Sequence, residues 1–292
     1  PNPVRWKAAE MRDTAHEGKM DLKSLKDIPP WDWPEGAGAT FLDLMRDGQA
    51  VESDRLLAAE LAGDLTVIND ELVDALLVVL RSGAESEDLR VRAATSLGPI
   101  LEQADTDGFE DAAAALITER TFSTLQESLR EVFGDAAVPK EVRRRILEAS
   151  VRAPRDWHQD AVRAAYGSGD EAWKLTAVFC MRFVRGFDEQ ILEALDSKDP
   201  DIRYEAVTAA GDWGVEAAWP HIAALIRAEG TAKPLLLAAI GAVAAIRPQD
   251  APGILGELTF SDDEDIAEAV DEALAMAEGP VDEDDEDNDL TH

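Results

Sequence analysis

Residues 199–214 (Asp-Pro-Asp-Ile-Arg-Tyr-Glu-Ala-Val-Thr-Ala-Ala-Gly-Asp-Trp-Gly) constrain the fold of this chain more than any other stretch. Ile202, Ala206, Ala209, Ala210 and Trp213 recur at the spacing of one helical face. Asp199 is placed to accept from the first free amides of that helix. Pro200 follows, where a missing N–H costs nothing, and Gly214 suits the stop. The face is mostly alanine, so a second helix can approach closely on it. The pattern then recurs. Aligned on a basic residue, its anchors are Arg55, Arg90, Arg143, Lys174, Arg203 and Lys233, with a degenerate copy at Ala267. Most anchors fall near 30 residues apart, which is one helical hairpin per repeat and the signature of a solenoid.

Each anchor helix has a partner before it. Candidates are residues 69–81, 121–133, 188–195 and 217–227, separated from the anchors by short links carrying Asp, Gly, Ser and Pro. Apolar runs such as Leu76-Leu-Val-Val-Leu80 sit inside longer helical patterns and predict buried helix rather than strand. The long step between Arg90 and Arg143 holds an insertion, in which residues 111–117 predict an extra helix or a longer first helix. Asp105-Thr-Asp-Gly108 lacks the third ligand and distal Glu of a calcium loop and predicts a capped turn.

Asp199-Pro-Asp-Ile-Arg203 followed by Ala206 and Gly211 resembles the second helix of a HEAT repeat, in its short bacterial form. The resemblance spans roughly residues 40–277. It implies an all-α, right-handed α-solenoid of six or seven hairpins whose second helices line the concave side. It also implies an Asp–Arg pair linking neighbouring repeats. Asp88/Arg90 and Asp201/Arg203 match that pair and Glu141/Arg143 matches loosely. The Trp173 and Lys233 copies lack the acid, and Ala267 lacks the base. Three groups sharing such repeats bear on function. Deoxyhypusine hydroxylases hold iron with several His-Glu pairs, whereas only His16-Glu17 exists here, outside the repeats. HEAT-like DNA glycosylases use Trp, Asp and a basic groove, for which Trp173, Asp170 and the bases from Arg143 to Arg185 are the counterparts; the overall charge opposes nucleic acid. Phycobilin lyases share the repeats, but no residue pattern here marks a chromophore site.

Charge is the strongest signal beyond the fold. The chain carries −33, and residues 248–292 hold 17 acids with no Lys or Arg. Residues 140–185 run the other way, with ten bases against six acids. One reading makes those bases partners for acids on adjacent helices. The other makes them a concave surface for an anionic group, or makes the acidic flanks a surface for a basic partner. The run Asp282-Glu-Asp-Asp-Glu-Asp-Asn-Asp289 predicts a disordered acidic tail.

Three regions follow: an N-terminal cap over 1–36, the solenoid over 37–277 and the tail over 278–292. In the cap, residues 4–11 predict a short helix, and the prolines of Ile28-Pro-Pro-Trp-Asp-Trp-Pro34 exclude one. Trp31 and Trp33 either cover the open end of the first repeat or form an aromatic docking site. Cys180 falls on a core face with no metal spacing around it, and His158 reads as a surface residue at a helix start. No run approaches the ~20 apolar residues of a membrane span, and no signal-peptide core is present, which predicts a cytoplasmic protein. The expectation is a non-catalytic scaffold with no cofactor or metal, binding a protein partner on its concave ridge. The contacts would come from Arg90, Arg143, Arg144, Lys174, Arg182, Arg203, Tyr204 and Lys233. An acidic inhibitor or immunity-type protein with a basic partner is the first alternative, and a glycosylase-related enzyme the second.

Overall fold

The computed structural model describes residues 22–111 and 113–279. The helix expected over 4–11 and the acidic tail from 282 lie outside the described residues. A short helix α1 (Leu22–Leu25) and a 3-10 turn (Pro30–Asp32) lead into a series of antiparallel hairpins. The first pairs α2 (Ala37–Arg46) with α3 (Glu52–Leu61), the second α4 (Asp70–Arg81) with α5 (Glu87–Ser96). Helix α6 (Gly98–Asp107) is the insertion. Then come α7 (Glu119–Gly134) with α8 (Lys140–Ser150), α9 (Asp156–Tyr166) with α10 (Glu171–Cys180), and α11 (Asp188–Leu195) with α12 (Pro200–Asp212). The last two pair α13 (Trp219–Arg227) with α14 (Lys233–Ile246), and α15 (Ala251–Leu255) with α16 (Glu264–Glu278). The chain is an all-α solenoid of seven HEAT-like hairpins among the described residues, where no strand occurs.

Local chemistry sets these bounds. Asn69, Ser86, Thr118, Asp170, Asp199 and Asp263 each accept a hydrogen bond from an amide in the first turn of the helix that follows. Pro200, Pro220, Pro234 and Pro252 sit in first turns, where their missing N–H has no partner to lose. The insertion differs from the expectation. Helix forms over 98–107, opened by Pro99 and stopped at Gly108 with φ 67°, whereas the described residues of 108–118 form a loop and none of those in 111–117 is helical. The loop is pinned rather than coiled: Phe109 lies 5.3 Å from Phe122, Ile117 is buried, and the Thr118 amide donates to Asp70 Oδ1 at 2.8 Å. The segment 28–34 likewise contains one 3-10 turn where no helix of any kind was expected.

The anchor helices α3, α5, α8, α10, α12, α14 and α16 pack each on the next in an unbroken row. Helices α9 and α11 make their main contacts inside their own hairpins, so the outer row is looser than the anchor row. Small residues make the tight row possible. Ala206, Ala209 and Ala210 of α12 are fully buried, as are Ala239 and Val243 of α14. A Cβ added to Gly211 would lie 3.0 Å from the Cβ of Ala242, and one added to Gly63 would lie 2.4 Å from the Ser96 carbonyl oxygen. Both glycines therefore mark contacts between successive anchor helices. Gly241, which occupies the same place in its repeat, has nothing within 4 Å of an added Cβ.

The core divides into two clusters whose seam runs through α8, with Ile146 in the first and Leu147 in the second. Phe133 touches both. Among the described residues no helix is long and apolar enough to cross a membrane.

Two substitutions of the same kind should act in opposite directions. Gly63→Ala forces backbone apart and should lower stability by roughly 1–3 kcal/mol. Gly241→Ala gains helix propensity in open space and should raise it by about 0.5–1 kcal/mol. Chemical denaturation of both variants checks this, and equal effects would contradict the packing described.

Candidate functional site

The anchor bases serve the hairpins before anything else. The Arg55 side chain donates to the Met45 carbonyl at 3.1 Å, Arg90 to Leu80 at 2.9 Å and Arg143 to Phe133 at 2.8 Å. Each acceptor lies ten residues earlier, at the C-terminal end of the partner helix, where carbonyls lack helical donors. Arg55 also forms a two-point pair with Glu85 at 2.6 and 2.7 Å, and that guanidinium holds the carboxyl below its ordinary range. Arg90 and Arg144 are each only 6% exposed, so neither presents its charge to the concave side, where sequence reasoning put them. Arg203 buries an Nε with no hydrogen-bond partner.

The basic run 140–185 is absorbed in the same way. Lys140 pairs with Asp170 at 2.8 Å, Arg163 with Asp160 at 2.9 Å, Lys174 with Glu193 at 3.4 Å and Arg182 with Asp212 at 2.9 Å. Arg144 meets Glu141, Arg145 meets Glu141 and Glu148, and Arg152 meets Glu102 of α6. Arg155 approaches Asp105 and binds Gln126, and Arg185 stacks 4.5 Å from the Trp213 ring. Arg143 has no ion pair among the described residues and lies over the rings of Phe133 and Trp173. Further along, Lys233 pairs with Asp263 and Asp265 at 2.6 and 2.5 Å. Tyr204 stands exposed on α12.

What these pairs surround is a face that sequence reasoning missed. Phe179 and Phe183 lie 5.6 Å apart, half-buried at the end of α10. The Arg152 guanidinium lies 5.6 and 5.5 Å from their centroids and that of Arg182 5.9 and 5.8 Å. Beside them Thr176 is fully buried; its hydroxyl accepts from Arg144 Nε at 2.9 Å and donates to Glu148 at 2.6 Å. Glu205 of α12 faces the same region. Burial raises its pKa against the pull of Arg182, and its Oε2 has no hydrogen-bond partner. Glu205 and Asp212 pair with Arg182, and Glu102 with Arg152, so each guanidinium over the aromatic pair also meets a carboxylate. The sequence signal was the stripe Glu141, Arg145, Glu148, Arg152 at helical spacing, which alternates sign along one face.

The counterparts of a glycosylase site are otherwise engaged. Asp170 caps α10 through the amides of Ala172 and Trp173, and Trp173 meets Phe133 edge-on at 6.3 Å. Of the N-terminal tryptophans, Trp33 donates to the Leu25 carbonyl at 3.0 Å and meets Phe41 edge-on, covering the first hairpin. Trp31 is 77% exposed. The covering reading thus describes Trp33, and Trp31 takes no part in that cover. Among the described residues no cluster of three metal-ligating side chains occurs.

His158 is buried, not on the surface as the sequence suggested. Its Nδ1 accepts from the Arg155 amide at 2.8 Å, Nε2 lies 3.0 Å from Ser150 Oγ, and the ring stacks on Trp157. Burial, with the nearby Arg155 charge, pushes its pKa down to about 4, against the Arg155 carbonyl.

No protein-family model matches the chain, and no curated protein matches it. Several solved structures are similar. Human deoxyhypusine hydroxylase aligns at 19% identity and a TM-score of 0.38, over 89% of each chain. The complex of CpcE and CpcF of phycocyanin lyase from Nostoc aligns at 16% and 0.43, over 86% of this chain and 98% of that one. An engineered protein aligns at 16% and 0.36, over 84% and 97%. The class is a HEAT-like helical-repeat protein. The expectation that the chain is not an enzyme is corrected here: the similar chains include an enzyme, so a solenoid of this kind gives no ground for excluding catalysis.

His158 makes a pH prediction with a definite sign. The folded ring stays neutral down to about pH 4, while an unfolded histidine protonates near 6.5. Its contribution is therefore complete above pH 6.5 and is lost as pH falls through 4. Between pH 6.5 and 5 stability should drop by roughly 1–2 kcal/mol. His158→Gln should flatten that window in denaturant titrations; an unchanged slope would contradict the assignment.

Proposed function

We propose that this chain is a protein-binding scaffold whose partner is basic. Its solenoid over residues 37–277 would supply the binding surface and residues 1–36 the cap. The tail over 278–292 would add acid, and the setting would be the cytoplasm. The observation that carries the reading is the imbalance of paired charge. The bases of 140–185 are held by neighbouring acids and aromatic rings, while α16 exposes Glu264, Asp265, Glu268, Asp271 and Glu272 in a segment with no base after Arg247. Only Lys233 reaches that helix with an ion pair among the described residues. Exposed acids of one sign favour fast, salt-sensitive association with a cationic surface. Phe260 at 87% and Met276 at 68% exposure lie beside them and add apolar area for a partner to cover. An inhibitor or immunity-type role uses the same surface and differs only in what its basic partner does when free.

The test neutralises matched sets of charges. Affinity capture from the native cell is quantified for wild type, for Glu268→Gln/Asp271→Asn/Glu272→Gln in α16, and for Glu119→Gln/Glu127→Gln/Glu131→Gln in α7. Basic proteins should be retained by the α7 variant and fall at least tenfold with the α16 variant. Equal retention by both would remove the proposal.

A further inference from the structure

The outer layer opens where the two core clusters meet. Helix α9 turns Ala161, Ala164 and Ala165 towards the end of α7, and these side chains are too short to fill the space. A cavity of about 240 Å³ results, walled by Phe133 and Trp173. The two rings stand at 87° to each other, with 6.3 Å between their centroids. Arg143 closes one side. Its Nε is committed to the Phe133 carbonyl, and its guanidinium carbon lies 5.3 Å from the Phe133 centroid and 5.8 Å from that of Trp173. The corresponding Arg55 spends its terminal nitrogens on Glu85, and Arg143 has no such acid among the described residues. Ser168 is the other polar side chain of the lining, and its hydroxyl already donates to the Ala165 carbonyl and accepts from the Asp170 amide.

The lining therefore offers apolar walls, one cation with free donors, and no carboxylate. That runs against a composition in which acids outnumber bases 61 to 28. The volume is below the ~300 Å³ at which drug-sized pockets begin, so it admits a single ring rather than a large cofactor. A flat ring satisfies the aromatic walls, and a carboxylate satisfies the guanidinium edge through two parallel hydrogen bonds. We propose that this cavity is a binding site for a small aryl monocarboxylate. It lies at the edge where α7 turns into α8 and α9 into α10, away from the aromatic pair of α10 and from α16, so it stands or falls separately from the scaffold reading.

Phenylacetate is the probe, followed by the indole N–H resonance of Trp173 in the full chain. The Trp173 signal should shift saturably with half-saturation at about 0.1–1 mM, a range ordinary for a ligand of ten heavy atoms, while Trp31 stays fixed. Phenylacetamide, which lacks the charge, should bind at least fivefold more weakly. Arg143→Gln should weaken phenylacetate at least tenfold. Because that variant also loses the Phe133 carbonyl bond, Ala164→Leu provides the second arm: residue 164 is exposed, so the fold is kept while the cavity is filled, and binding should be lost with the melting midpoint unchanged. No saturable shift by about 10 mM would overturn the proposal. So would equal binding of acid and amide, or wild-type binding by Ala164→Leu.

Discussion

Close approach between successive anchor helices is the constraint on which the molecule rests. Gly63 meets Ser96 with no room for a further methyl group, Gly211 meets Ala242 at the tight limit of contact, and buried alanines line α12 and α14 around the second contact. Backbones brought this near favour small side chains at those contacts, while large apolar groups such as Phe41, Leu76 and Leu125 on the first helices of their hairpins are fully buried. Each hairpin then buries its face only against its neighbours, which is how a chain of 292 residues avoids needing one continuous core. The two clusters meeting at α8 are a consequence of that arrangement.

The charges follow from the same geometry. A repeat near 30 residues places a base of one hairpin beside an acid of the next, as Arg55–Glu85, Lys140–Asp170, Arg182–Asp212 and Lys233–Asp263 show at a separation of 30. Most of these pairs are partly or fully exposed, and solvent screening leaves each with little effect on stability. Their larger effect is to cancel the positive run at 140–185, which turns the functional question towards the acids of the last hairpin.

The period, the hairpins and the anchor residues were legible because helical spacing and capping chemistry are local. The role of the anchors was not. Spacing shows that Arg90 recurs, but not that its side chain turns back to Leu80 instead of outwards to a ligand. The interval of ten between base and acceptor could be recovered from the fixed hairpin loop, as Arg55/Met45 and Arg143/Phe133 repeat it. His158 was misplaced because its partners, Ser150 and the Arg155 amide, are set by a turn between helices that the sequence does not specify. The Ala161, Ala164, Ala165 stripe was visible, but whether a neighbour covers such a stripe is a tertiary fact.

The account stands on nearest-neighbour stacking, and native-state hydrogen exchange of Gly211→Val reads it directly. The added side chain wedges α12 from α14. Exchange protection should collapse in α11–α14, weaken in the hairpins on either side and persist in α2–α5. Uniform loss of protection from α2 to α16 would mean one cooperative globule, and the stacked-hairpin account would be wrong.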